Sequence, residues 1–202
     1  MSLSLLNSYP ETDFTPIKSY LIGKVQGVPQ EMIDKAIGEA LDEFCRESLF
    51  WREEMILYPT VGFSEYPVPN VGQTRIIEVI SARYEDGAKL VAGQDYTMRG
   101  LTYMMVSDDV IKANLPIIVE VALAPVFNAS VMSKTIADQC ADWISNGAAG
   151  RLLSMSPDYP WSNPAAGQVF VLQFERDKRS ARRMALNNFM DHHNPPRKYK
   201  FY

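Results

Sequence analysis

The stretch PQEMIDKAIGEALDEFCRESLFWREEM, residues 29–55, decides how the rest of the chain is interpreted. Its apolar side chains recur at intervals of three and four residues, and acidic side chains fill the positions between them. This spacing is typical of an amphipathic α-helix with one buried face. We therefore predict a helix of about seven turns that begins at Pro29 and ends near Met55. The predicted buried stripe consists of Ile33, Ile37, Ala40, Leu41, Phe44, Ser48 and Trp51.

After this helix the pattern changes to one of short strands. Residues from about 56 to 127 are rich in β-branched and aromatic side chains and are divided by turn signals. Asp86-Gly87 and Arg99-Gly100 each separate two such runs, so we predict a hairpin at each of them. Alternating apolar residues from Ile117 to Leu123 predict a half-buried strand. We expect this segment to be an antiparallel β insertion between helices.

A second helix is predicted from about Ser130, with either Ser130 or Ser133 supplying the N-cap oxygen. It contains Gly147, Ala148 and Gly150 in a cluster of small residues. Each glycine costs a helix roughly 1 kcal/mol relative to alanine. Close approach of a neighbouring helix is the compensation that we expect at this cluster.

The last helix is predicted from Asn163-Pro164, which is a good start signal because asparagine caps and proline suits the first helical position. It runs to about Met190, and alanines and phenylalanines form its apolar stripe. Basic residues crowd its middle. The arginines of this basic stretch are Arg176, Arg179, Arg182 and Arg183.

These elements predict an α+β fold that is mainly α. It would be a bundle of three long helices with an antiparallel β insertion between the first and the second, and an extended C-terminal tail. The predicted organisation is an extended N-terminal segment over 1–28, a main domain over 29–190 with the β insertion at about 56–127, and a tail over 191–202.

Composition is that of a globular protein with a proper core, since 47% of the residues are hydrophobic and 22% are charged. No apolar run approaches the roughly 20 residues that span a bilayer, so no membrane partner is expected. The first seven residues do not resemble a signal peptide. The two cysteines, Cys45 and Cys140, fall on apolar faces of predicted helices and are expected to be buried thiols.

Charge is distributed unevenly along the chain. Residues 175–202 contain eight basic and three acidic side chains, a net charge of +5. Because the total is −4, residues 1–174 have a net charge of −9. An acidic body with a basic end suggests that the two parts meet different neighbours.

No motif with a usable catalytic spacing is present. No glycine-rich phosphate loop is present, since the turn glycines at 62, 72, 87, 93 and 100 are isolated from one another. His192 and His193 alone cannot provide the three or four ligands of a zinc site. The carboxylate pairs at 53–54 and 108–109 are adjacent in sequence, so their side chains diverge and do not readily hold one substrate or metal ion. We therefore predict a protein that is not an enzyme and that uses no cofactor and no metal.

Two features instead suggest binding. Arg176, Arg179 and Arg183 share one helical face, which could contact phosphates, another subunit or the acidic face of the first helix in the same chain. The C-terminal residues follow a double proline and combine three cations with three aromatic rings, which are typical anchors of protein interfaces. We expect this tail to bind a partner. Its residues are Arg197, Lys198, Tyr199, Lys200, Phe201 and Tyr202.

The order of these motifs resembles that of the head–tail adaptor (connector) proteins of tailed bacteriophages. The resemblance covers residues 30–190 and lies in the helix IDKAIGEALDEFCRESLFWREE, the strand edge YPVP, and TRIIEVISARYEDGAKLV. It continues in GAAGRLLSMSP, PWSNP and the long basic helix. The resemblance also implies a helical bundle with a β insertion. The N-terminal segment of about 28 residues is longer than is expected in that family.

The resemblance implies a structural virion protein at the neck between head and tail, assembled in the host cytoplasm. Copies would form a ring, usually of twelve subunits, around a channel through which DNA passes without sequence-specific binding. The tail at 197–202 would grip the portal protein, and the opposite end would receive a tail tube or nozzle protein. The alternatives are a DNA-binding protein that uses the basic last helix, and a tail or baseplate component without portal contact.

Overall fold

Helices and strands both contribute large shares of this chain. The computed structural model describes residues 4–5, 10–68, 72–101, 103–112 and 115–187. Of these residues 43% are helical and 27% are in strands, arranged in five helices and three antiparallel sheets. The prediction of a mainly α fold, a bundle of three long helices with a β insertion, is therefore wrong. The chain is a mixed α/β protein in which the largest sheet shares one core with the helices.

Helix α4 is the centre of the helical layer, because it packs against α1, α2 and α5. The predicted caps are confirmed at Ser133, whose Oγ accepts from the Thr135 amide, and at Asn163, whose Oδ1 accepts from the Ala166 amide. Within the described ranges, no helix combines the length and apolarity needed to span a membrane. The helices are α1 (Thr15–Leu21), α2 (Gln30–Ser48), α3 (Asp108–Lys112), α4 (Lys134–Leu153) and α5 (Pro164–Leu186).

The strands form a central sheet of order β1-β3-β9-β5-β6, a small sheet of order β4-β8-β7, and the pair β10-β2. The hairpins predicted at Asp86-Gly87 and Arg99-Gly100 are confirmed, since they join β5 to β6 and β7 to β8. The strands are β1 (Ser4–Leu5), β2 (Glu11–Asp13), β3 (Arg52–Leu57), β4 (Glu65–Pro67), β5 (Thr74–Tyr84), β6 (Lys89–Leu90), β7 (Tyr96–Arg99), β8 (Tyr103–Val106), β9 (Ile117–Pro125) and β10 (Val131–Ser133).

Strand β9 is the centre of the central sheet and is buried on both faces. Every residue in it except Glu120 is buried, so the prediction of a half-buried strand at 117–123 is wrong. The strand lies between β3 and β5, and α2 packs against it. The Glu120 carboxylate accepts from Arg52 and from the Ser81 hydroxyl, each at 3.0 Å.

Helix α2 ends at Ser48, about two turns before the predicted end near Met55. Leu49 adopts a left-handed conformation, with φ of 54°, and its amide donates to the Cys45 carbonyl oxygen at 3.0 Å. Strand β3 follows, and its burial alternates from residue 52 to 57. This alternating run is only six residues long, and the residues before it have helical spacing. The sequence pattern therefore does not show where the helix ends and the strand begins.

The N-terminal segment differs from the extended stretch that was predicted over 1–28. Its described part contains β2, which pairs with β10, and α1, which buries Ile17 and Leu21. Pro16 lies in the first turn of α1, a position that proline favours because its fixed φ suits a helix start.

The two cysteines confirm their predicted burial. Cys45 and Cys140 are both buried free thiols. Burial raises the pKa of the Cys45 thiol, and nearby Cys140 and Asp42 raise it further. Burial also raises the pKa of Cys140. Both groups therefore remain protonated and act as small apolar side chains.

Candidate interaction surfaces

Glycines allow α4 and α5 to cross at short distance. A Cβ atom added to Gly147 would lie 2.8 Å from the ring of Phe174, and one added to Gly167 would lie 3.3 Å from the carbonyl oxygen of Gly150. Ala148 is completely buried. The sequence assigned Gly147, Ala148 and Gly150 to close helix packing, and the structure places all three on α4, with both glycines against α5.

A buried polar network joins the chain after α1 to α4 and α5. The ammonium of Lys24 lies 2.7 Å from Asp142 Oδ1, 2.6 Å from Ser145 Oγ and 2.6 Å from Asn146 Oδ1. The side-chain amide of Asn146 in turn donates to Asp177 Oδ2 at 2.9 Å. These contacts satisfy the buried polar groups at this junction, so the network stabilises the helical layer.

A second network joins α2, α4 and α5. Lys178, whose side chain is only 3% exposed, forms ion pairs with Glu43, with Glu47 at 2.8 Å and with Glu175 at 2.7 Å. Arg151 also pairs with Glu43. Burial disfavours the ammonium of Lys178, but its hydrogen bonds to the three carboxylates outweigh this effect and raise its pKa. Burial likewise opposes ionisation of Glu43. The contacts of this carboxylate with Lys178 and Arg151 outweigh the effect of burial, so the pKa of Glu43 is lowered.

The three carboxylates of this network are also the one cluster with the spacing of metal ligands among the residues that the structure describes. Glu43, Glu47 and Glu175 each place an oxygen within 4.8 Å of the others. The ammonium of Lys178 already occupies the position between them. We therefore interpret the cluster as a set of ion pairs that tie α5 to α2.

The basic stretch of α5 divides between two environments. The guanidinium of Arg182 donates to the backbone carbonyl of Glu47 at 2.8 Å. Arg183 is exposed and donates to a hydroxyl on its own helix. Arg176 and Arg179 are exposed and have no partner among the described side chains. Pairing of Arg176 and Arg179 with the acidic face of α2 in the same chain is therefore not observed.

The outward face of α5 has a regular stripe, which we call the α5 stripe. Its members recur at alternating intervals of three and four residues, the spacing of a helix–helix seam. Val169 and Leu172 within it are 64% and 53% exposed. The sequence predicted the basic members. It did not predict the exposed apolar ones, because apolar side chains on a helix are expected on its buried face. The α5 stripe consists of Ala165, Val169, Leu172, Arg176, Arg179, Arg183 and Leu186.

A groove of about 1070 Å³ lies between α2 and the turn at 125–130, and we call it the α2 groove. Phe127 lines it and is 89% exposed, and Asn128 beside it has a left-handed φ of 64°. Five carboxylates and three basic side chains line the groove, for a net charge of −2. The sequence did not predict this groove, because it joins residues that are distant along the chain. Its carboxylates are those of Asp13, Glu31, Asp34, Glu39 and Asp42.

One buried carboxyl group is not fully paired. Glu53 is 5% exposed; its Oε1 accepts from the indole of Trp51 at 3.3 Å, and its Oε2 has no hydrogen-bond partner among the residues that the structure describes. Burial raises the pKa of Glu53 from 4.5 to about 7. The hydrogen bond from Trp51 lowers this pKa, and the nearby charge of Glu11 raises it further, but burial has the largest effect. The next residue, Glu54, lies on the other face of β3 and pairs with Arg83 at 2.6 Å. Glu53 and Glu54 therefore do not form a paired catalytic site.

The C-terminal tail was the second predicted binding feature. Residues 188–202, which include the predicted partner-binding residues 197–202, the two histidines and the predicted end of the last helix, lie outside the described residues. The last described helix ends at Leu186, so the chain enters this segment directly after the α5 stripe.

In comparisons with known proteins, no protein-family model matches this chain and no curated protein matches it.

Proposed function

We propose that this chain is a structural virion protein whose copies form a ring that joins the portal of a capsid to the tail and surrounds the DNA channel. The single observation that carries the proposal is the α5 stripe, in which exposed apolar side chains are followed along one helix face by three arginines, none of them in contact with another described element. A seam of this kind is suited to contact with another protein.

The order of sequence motifs also supports the proposal. From residue 30 to 190 it resembles that of phage head–tail adaptors, although the fold is mixed α/β and not the helical bundle that the resemblance implied. The proposal therefore depends on the surfaces and the motif order. In this function the chain binds proteins and lets DNA pass, and it makes or breaks no covalent bond.

The C-terminal tail tests the proposal. Removal of residues 195–202 should leave a folded protein, because the described helices, strands and core residues all precede residue 188. The truncated protein should fail to join portal-bearing capsids, since it lacks the cationic and aromatic side chains that would grip the portal. Co-sedimentation with capsids that lack this protein, followed by electron microscopy, measures the attachment.

A full-length variant that carries Lys89→Glu on β6 is the matched control, because it loses a positive charge far from the tail in sequence and keeps all 202 residues. This control should attach like the wild type. Attachment of the truncated protein at the wild-type level would refute the role of the tail. Failure of the wild-type protein itself to attach would refute the adaptor function.

DNA binding through α5 is the second candidate function. It is favoured by the free guanidinium groups of Arg176 and Arg179 on one exposed face. A gel shift with duplex DNA tests it: binding should weaken steeply as salt rises and should weaken again in the Arg176→Glu, Arg179→Glu variant. Absence of a shift at low salt would exclude this function.

A further inference from the structure

We propose that copies of this chain associate head to tail, with the α5 stripe of one copy seated in the α2 groove of the next. The inference rests on the proposed function, because it specifies the contact that would be repeated around the ring. A contact between two different faces can close into a ring when each subunit presents both faces. The α5 stripe and the α2 groove are two such faces on one chain.

Helix α2 is placed between these two faces. Glu47 points to the α5 of its own chain, where it pairs with Lys178. Gly38 lines the α2 groove and lies nine positions earlier, which is about 180° around the helix. One flank of α2 is therefore filled by α5, and the opposite flank is open. A second helix in the groove would leave α2 between its own α5 and that of a neighbour.

Helix α5 is two-sided in the same way. Lys178 is buried against α2, and Arg176, two positions before it, lies about 200° away around the helix. The α5 stripe thus points away from its own chain. It is free to enter a groove on another copy without loss of the contacts that hold α5 in place.

Charge matches between the two faces, and part of the α5 stripe has the length of the groove. The groove follows α2 from Glu31 to Asp42, eleven residue steps or about 16 Å. The whole stripe covers 21 steps from Ala165 to Leu186, and the eleven steps from Leu172 to Arg183, which include its three arginines, would fill the groove. The stripe has a charge of +3 and the groove lining a net charge of −2, so opposite charges would meet along the contact.

The apolar members of the stripe favour a second copy over DNA as the occupant. Val169 and Leu172 have no counterpart on a phosphate backbone, whereas the α2 groove offers the exposed ring of Phe127. Space for side chains is available at Gly38, where a Cβ atom would meet nothing within 4 Å. The whole chain is also acidic, with a net charge of −4, which opposes general binding to nucleic acid.

Reciprocal charge reversal tests the contact. The stripe variant is Arg176→Glu with Arg179→Glu, and the groove variant is Glu31→Lys with Glu39→Lys. Both changes suit the test because the arginines lack partners and Glu39 has only loose contacts, 3.8 Å from Arg151 and 4.0 Å from Lys35. Native mass spectrometry and sedimentation velocity of the full chain measure the association.

The wild type should form closed oligomers, and each variant alone should associate more weakly by roughly a hundredfold or more, because like charges then face each other. An equal mixture of the two variants should recover the oligomers. In the mixture the reversed stripe meets the reversed groove, and the unchanged stripe meets the unchanged groove. A chain that carries all four changes should associate by itself.

The control variant is Lys89→Glu with Arg99→Glu, which changes the net charge by the same amount as the stripe variant. Neither control residue lies on α5 or lines the groove, so association should be unchanged. A monomeric wild type, full association of either variant alone, or no recovery in the mixture would overturn the inference. So would a stripe variant that loses only DNA binding.

The inference and the proposed function fail in different ways. If the mixture of variants recovered the oligomers but the protein did not attach to portal-bearing capsids, the contact between copies would be supported and the adaptor function refuted. Attachment of both variants to capsids at the wild-type stoichiometry would refute the contact and leave the adaptor function in place.

Discussion

Lys178 and Arg179 are neighbours in sequence but occupy opposite environments. Lys178 is buried among three carboxylates, and Arg179 is exposed without a partner in the described part of the chain. Helical periodicity alone could predict that the two residues face different directions. It could not predict which of the two is buried, because the buried one is selected by carboxylates of α2 that lie more than 100 positions earlier.

Replacement of Lys178 by methionine should lower the free energy of unfolding by about 2–3 kcal/mol at neutral pH. Loss of one partner from a buried ion pair costs roughly 3–5 kcal/mol, and the cost is smaller here because Glu47 and Glu175 reach water. Arg179→Met is the matched control and should change stability by less than about 0.5 kcal/mol. Urea denaturation of both variants measures the difference, and equal effects would contradict the network.

Glu53 should make stability depend on pH. Its pKa is raised from 4.5 to about 7 on folding, so the folded state holds the proton more tightly than the unfolded state. The stabilisation is fully present below about pH 4.5 and is lost as pH rises through about 7. This rise in the pKa corresponds to a change of roughly 3 kcal/mol at most in the free energy of unfolding.

The Glu53→Gln variant should therefore lack the loss of stability between about pH 4.5 and 7 that the wild type shows. Glu54→Gln is the control on the same strand, and it should retain the wild-type dependence because Glu54 is half-exposed and paired with Arg83. Urea denaturation at a series of pH values provides the comparison. If the free energy of unfolding varied with pH in the same way in all three proteins, Glu53 would not be buried and protonated.

At the scale of elements, the crossing of α4 and α5 is the most sterically constrained contact. A methyl group at Gly167 would lie 3.1 Å from the backbone nitrogen of Ser154 as well as close to Gly150. Backbone atoms cannot move aside as a flexible side chain can, so the two helices would have to separate.

Gly167→Ala should destabilise the protein by about 1–3 kcal/mol, the usual cost of overpacking. Gly38→Ala on α2 is the matched control, since a Cβ atom there meets nothing within 4 Å. This control should be stabilised by up to about 1 kcal/mol, because alanine is the better helix former. Thermal and urea denaturation should give opposite signs for the two variants, and equal signs would contradict the tight crossing.

Local sequence signals predicted the elements that have strong caps or turns. The Asn163-Pro164 start, the Ser133 cap and the Asp86-Gly87 hairpin depend on neighbouring residues only, and all three are confirmed. The end of α2 depends on Leu49, a non-glycine residue in a left-handed conformation. The packing around the helix end imposes this conformation, so local propensity gives no sign of it.

At the scale of the whole molecule, the helices and sheets share one hydrophobic core. Buried residues of the small sheet, the central sheet and α4, such as Met104, Val121 and Ile144, belong to one continuous cluster. The strands are therefore not an insertion attached to a bundle. The sequence could not predict this arrangement, because nothing in a strand's own residues shows that β9 pairs with β3 and β5 at once.

A shared core predicts a single cooperative unfolding transition. Far-UV circular dichroism follows the helices, and fluorescence follows Trp51, beside β3, in a variant whose other two tryptophans, Trp143 and Trp161, are replaced by phenylalanine. The two probes should give coincident urea curves. Hydrogen exchange measured by mass spectrometry should show that peptides from β9 and α4 open together near the global free energy. Two separate transitions would show that sheet and helices are independent units.

The central sheet also restricts how copies can meet. Its outer strands, β1 and β6, are two residues long each, and β5 has irregularities at 76–78 and 79–81 that break its regular ladder. β6 pairs with β5 only at Ala82 and Arg83, and the bulges in β5 disfavour regular addition of another strand along the rest of its outer edge. The described part of the sheet therefore disfavours fibre growth by addition of strands from other copies. In the assembly that we propose, copies would therefore meet through side-chain contacts, which dilution or salt can reverse.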